Sequence, residues 1–78
     1  MENKSNYEET MEILKRNISH ILWEKDKSMA WLSRKIGTND RYIARLQRDE
    51  LVPSLQVLCK IAEVLRVSVA ELFTKKEG

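Results

Sequence analysis

Apolar residues recur along this chain at intervals of three and four, with polar residues between them. Met11, Leu14, Ile18, Ile21 and Leu22 form one series, Leu32 and Ile36 a second, and Ile43 and Leu46 a third; Leu55, Leu58, Ile61, Ala62 and Leu65 form a fourth. Side chains at these spacings share one face of an α-helix. No stretch alternates with the period of two expected of a half-buried strand. The residues between the series agree with helix starts. Ser5-x-x-Glu8 and Ser68-x-x-Glu71 have capping-box spacing, Ser28 and Ser54 stand where N-caps are needed, and Pro53 closes the loop that begins at Asp49. Val67 before Ser68 and Leu72 four residues after it fit a hydrophobic staple, so a short fifth helix is expected to end near Phe73 or Lys75. The pattern predicts an all-α, compact five-helix bundle. Residues 1–8 would be a tail and the start of an extended first helix, 9–74 one domain, and 75–78 a C-terminal tail.

The second and third series are separated by Gly37, the one glycine inside the chain. Glycine takes the left-handed conformation that ends a helix without a Cβ penalty. Asn39 is then the expected N-cap of the next helix, with Asp40 in its first turn complementing the helix dipole. That helix is predicted over residues 39–48. Arg41, Arg45 and Arg48 recur about one turn apart on a face that Ile43 and Leu46 do not use. A helix, a short turn and a second helix with a basic outer edge suggest a DNA-reading helix-turn-helix.

Composition narrows the alternatives. Seventy-eight residues suffice for one small domain, with no room for a separate sensor or ligand domain. A single cysteine excludes an internal disulfide, and Cys59 reads as a small apolar filler. With one histidine and one cysteine, no metal cluster is expected, and no cofactor or small-molecule ligand. No apolar run approaches the ~18 residues of a membrane span and the acidic N-terminal region does not resemble a signal peptide, so a cytoplasmic protein without membrane contact is expected. No nucleophile–base pair or phosphate loop points to an enzyme. His20 and the Glu8, Glu9, Glu12 group read as surface residues. The net charge of +2 becomes informative when divided: residues 25–48 carry seven Lys/Arg against Asp26 and Asp40. Both flanking segments carry more acids than bases. Positive charge concentrated at the helix-turn-helix is the footprint expected for phosphate contact.

The ordered spacing of Leu32, Ile36-Gly37, Ile43, Leu46, Pro53-Ser54-Leu55, Ile61-Ala62, Leu65 and Val67-Ser68-x-x-Glu71-Leu72 resembles the Cro/CI-type repressor domains, also called XRE-type helix-turn-helix proteins. The resemblance covers about residues 11–73. It implies a lambda-repressor-like bundle whose helix 39–48 lies in the major groove of double-stranded DNA. By the same resemblance, Asn39, Asp40, Arg41, Ala44 and Arg45 would face base edges, and Ser28 and Met29 would meet a phosphate. Related domains often dimerise through the fifth helix, which implies a homodimer joined through Val69, Leu72 and Phe73. The chain departs from the pattern at Met29, where glutamine is frequent, and at Ser33, where alanine is usual. Leu22 and Gln47 replace a frequent Arg–Glu pair, Asp49 a common glycine, and Glu50 a basic residue.

The chemistry of the residues leaves several roles open. Arg41 and Arg45 each suit either guanine O6 and N7 or a phosphate. Asp40 suits cytosine N4, the helix dipole, or orientation of a nearby arginine. Tyr42 suits a phosphate through its hydroxyl or the core through its ring. Arg34, Lys35 and Arg48 suit phosphate, with solvated charge as the ordinary alternative. Trp31, on the outer side of the second helix, is expected to pack against the N-terminal extension, with a protein partner as the sharper alternative. The functional expectation is a sequence-specific transcriptional repressor. A protein-interaction module, such as an antitoxin or adaptor built on the same bundle, is the competing class.

Overall fold

Five helices follow one another in the computed structural model, which describes residues 4–76: α1 (Asn6–Lys25), α2 (Met29–Lys35), α3 (Tyr42–Gln47), α4 (Leu55–Leu65) and α5 (Val69–Leu72). There are no strands among the described residues, and the all-α five-helix architecture expected from the spacing is the observed one. Four serines start four of the helices. Ser5 and Ser68 close full capping boxes with Glu8 and Glu71, while Ser28 Oγ accepts the Trp31 N–H and Ser54 Oγ that of Val57. Each hydroxyl satisfies an amide that the helix itself leaves unpaired.

The apolar series converge on one core. Leu14, Ile18, Leu32, Ile43, Leu46, Ile61, Leu65 and Leu72 are all fully buried. The helix-turn-helix pair α2 and α3 packs together, and α5 sits against both α1 and α4. Two expectations for α4 are corrected. Leu55, the first residue of α4, is 70% exposed, and Val52 in the preceding loop is 65% exposed. Cys59 is exposed as well, so it fills nothing.

Helices α1 to α4 end in the same way. After α2, Gly37 has φ +83°, its N–H donates to the Arg34 carbonyl, and the Thr38 N–H donates to that of Ser33. This pair of bonds is a Schellman ending with glycine in its usual place. Asp26, Asp49 and Arg66 occupy the equivalent left-handed positions after α1, α3 and α4, with φ of 57°, 61° and 61°. At each the next residue's N–H reaches back five: Lys27 to Leu22, Glu50 to Arg45 and Val67 to Ala62. Three endings therefore use a side chain where glycine is easiest.

Two polar side chains in the interior tie the helices together. Asn17, 4% exposed, donates from Nδ2 to the carbonyls of Leu72 (2.8 Å), Thr74 (2.9 Å) and Glu71 (3.3 Å). It thereby fastens the end of α5 to α1. Ser33, fully buried in α2, donates to the Met29 carbonyl at 2.8 Å and accepts the Ile43 N–H at 2.9 Å. That second bond corrects the expected start of α3. The regular helix begins at Tyr42 rather than near Asn39, and its N-cap position is held by Arg41, which makes no side-chain capping bond. Asn39 instead accepts the Arg41 N–H at 2.9 Å, and the Asn39 carbonyl accepts that of Tyr42 at 3.2 Å, forming a tight turn. The cap of α3 comes from its neighbour, so Asn39 is left to shape the approach.

Candidate nucleic-acid interface

The turn that delays α3 decides which side chains share its outer surface. Asn39, Asp40, Arg41, Arg45, Arg48 and Glu50 line one open concavity. Four of the five expected base-facing residues therefore stand together, joined by Arg48. Ala44 on α3 is half-buried.

Charges on this surface are largely paired with one another. Arg34 Nη1 lies 3.6 Å from Asp40 Oδ2, so Asp40 orients a nearby arginine. Arg48 engages Glu50 through two nitrogens, Nε to Oε2 at 2.9 Å and Nη2 to Oε1 at 3.3 Å, while Arg45 Nε is 3.6 Å from Oε1. The hydrogen bonds from Arg48 hold the Glu50 carboxyl below its ordinary pKa. Arg41 has no carboxylate partner among the described residues, which leaves its whole guanidinium available. Tyr42 is half-buried with its ring against the core, and burial pushes its phenol pKa up.

The far end of α3 is fixed to α1. Gln47 Nε2 donates to the Lys15 carbonyl and to Ser19 Oγ, both at 3.1 Å, and Lys15 Nζ bridges Asp49 at 2.9 Å. Where related domains frequently use a charged pair, this chain uses a neutral amide and leaves Leu22 in the core. With Ser33 holding one end and Gln47 the other, α3 is clamped along its six residues.

The remaining expected contacts fall elsewhere. Ser28 and the 41% exposed Met29 line a second concavity with Ser19, Leu22, Lys27 and Trp23. Trp23 is 79% exposed and was not singled out by the sequence; its one signal is that it directly follows the apolar pair Ile21–Leu22, off their face. Its ring stacks on His20 at a centroid distance of 6.3 Å. Lys35 is not brought to the α3 surface: it lines a third concavity with Lys25, Lys27, Trp31, Glu63, Val64 and Arg66. Trp31 accordingly packs beside the end of α4, with Lys27 Nζ 5.2 Å above its ring, and among the described residues none of the N-terminal extension lines this concavity, contrary to expectation. Short reach explains the correction, since Lys27 and α4 are already beside α2. Of the expected dimer residues, Val69 and Phe73 are half-buried, but Leu72 is fully buried within its own chain. Staple geometry points Leu72 into the core, so it offers no surface to a partner.

Comparison with known proteins agrees with this geometry. A family profile described as helix-turn-helix matches residues 22–72, from the end of α1 to the last residue of α5. Among solved structures, the chain is similar to the crystal structure of hypothetical transcription factor NHTF from Neisseria, with a TM-score of 0.81 and 20% identity over 96% of this chain and 86% of that one. That likeness establishes a shared fold. No curated protein sequence matches the chain. The profile match covers most of the chain and includes the α2–turn–α3 unit built above, and on that ground the chain belongs to the helix-turn-helix family of the XRE type.

Proposed function

We propose that this chain is a DNA-binding transcriptional regulator that reads the major groove with α3 and its leading turn, and that it represses transcription. Family membership supports DNA binding rather than catalysis. The single observation that carries the reading is the exposed row of Arg41, Arg45 and Arg48 around one open concavity, on a helix fastened at both ends to the bundle. Arg41, free of ion pairs among the described residues, is assigned to a guanine edge, and Asn39, Asp40, Ala44 and Arg45 are its neighbours at the bases. Arg34, Arg48 and Tyr42 are assigned to phosphates, together with Ser28 and Met29 at the start of α2. Lys35 is left out of the contact set because it lies with Trp31. A two-fold dimer formed through Val69 and Phe73 would hold two reading helices roughly 34 Å apart, matching successive major grooves. No helix among the described residues is long and apolar enough to cross a membrane, in keeping with the cytoplasmic location proposed for a DNA-binding protein.

Selection of binding sites from random duplex DNA at two salt concentrations tests the proposal. A recovered near-palindromic motif, bound more tightly as salt falls, is the expected result. Equal retention of all sequences, or none, overturns it. A second reading, an adaptor that binds a protein partner, draws on one observation: Trp23 projects into solvent beside Met29. Loss of operator binding without loss of fold in Trp23→Ala would place that side chain at DNA instead.

A further inference from the structure

Glu50 stands where an acid opposes the proposed use of the surface, because a phosphate and a carboxylate compete for the same guanidinium hydrogens. Its two oxygens meet Arg48 at 2.9 and 3.3 Å, the forked arrangement a phosphate would also adopt. One of those oxygens, Oε1, also lies 3.6 Å from Nε of Arg45. A single carboxylate thus engages two of the three arginines in the concavity and cancels about one unit of their charge.

The two arginines are held differently. Arg48 is engaged through the fork a phosphate needs, so backbone binding there requires the carboxylate to be displaced. Arg45 is approached more loosely: the pair Nε to Oε1, at 3.6 Å, is beyond hydrogen-bond distance, so its donors remain for a base edge. Arg41 is untouched. The carboxylate therefore acts against the sequence-independent part of binding and spares the groups suited to base reading.

We infer that Glu50 is an affinity-limiting residue: its carboxylate competes with backbone phosphate for Arg48, and so weakens the sequence-independent part of duplex binding. This rests on the DNA-binding reading above. It differs from a structural role because Glu50, Arg45 and Arg48 are all exposed.

The test uses the full chain with a selected site and a scrambled duplex, each titrated across a salt series. Glu50→Gln is expected to tighten scrambled-duplex binding about fivefold at low salt and to steepen the salt slope by about one. Binding to the selected site should tighten by a similar factor, while the denaturation midpoint stays at the wild-type value. Glu50→Ala should give the same slope change. Glu63→Gln makes the same change in formal charge at an exposed residue with no arginine ion pair among the described residues, and should leave slope and scrambled-duplex affinity unchanged. An unaltered slope and scrambled-duplex affinity in both Glu50 variants, or an equal effect from Glu63→Gln, overturns the inference while leaving DNA binding intact. A wild-type chain that binds no duplex overturns both readings, and that is visible before any variant is made.

Discussion

The hydroxyl of Ser33 in α2 caps α3 by accepting the Ile43 N–H at 2.9 Å, ten residues further along the chain. Removing it takes away the acceptor of an N–H on a fully buried residue. Ser33→Ala should therefore destabilise the fold by about 1–2 kcal/mol. The change should appear in urea denaturation as a lower midpoint at unchanged slope.

Asn17 does similar work at the opposite end of the bundle. Its amide serves three carbonyls at the end of α5, and Asn17→Ala should cost about 1–3 kcal/mol. Asn17→Asp should cost more at neutral pH, because a buried carboxylate would face carbonyl oxygens instead of donating to them. Thermal unfolding of the two variants side by side gives the order.

Arg66 ends α4 at φ 61° and is exposed, so its side chain contributes strain without packing. Arg66→Gly should stabilise the chain by about 1 kcal/mol. Asp49→Gly should gain less, since it also removes the Lys15 bridge. Gly37→Ala should lose about 1 kcal/mol from backbone conformation alone, because a Cβ there would meet nothing within 4 Å. Denaturant midpoints of the three variants supply the comparison.

At the DNA surface, Arg41→Ala should lose about 1–3 kcal/mol on the preferred site and relax the choice of one base pair. Arg48→Ala should instead weaken all duplexes alike and reduce the salt slope by about one. Equal losses on every sequence for Arg41→Ala would reassign it to a phosphate.

Acid should act on α5 through Glu71. The Ser68 backbone N–H donates to its carboxylate and holds its pKa below the ordinary value. A lowered folded pKa means that the stabilisation is complete above the ordinary carboxylate range and is lost as pH falls through the folded value. Glu71→Gln should flatten that acid limb in a plot of melting temperature against pH.

Local signals were sufficient for four of the five helix starts. Ser5, Ser28, Ser54 and Ser68 cap where their spacing places them, and Gly37 turns left-handed as expected. Tertiary hydrogen bonds were not legible. Asn39 has the better local credentials as a cap, yet Ser33 supplies the bond because the α2–α3 crossing brings its hydroxyl there. Asn17 left a readable trace, a polar residue between Leu14 and Ile18 on an otherwise apolar face. Arg66 left none, whereas aspartate takes the left-handed backbone more readily than most residues, and Asp49 stands where the resemblance has glycine. The arginines of the interface were legible as a row, but the grip of Glu50 on two of them was not, because it depends on how the chain turns after α3.

Because α3 borrows its cap from α2, none of the side chains at Asp40, Arg41, Ala44 or Arg45 is needed to begin the helix that displays them. The lettering of this surface can thus be exchanged without disturbing the page it is printed on. A library randomised at those four positions, with Ser33 and Gln47 retained, should yield mostly folded members with divergent operator preferences.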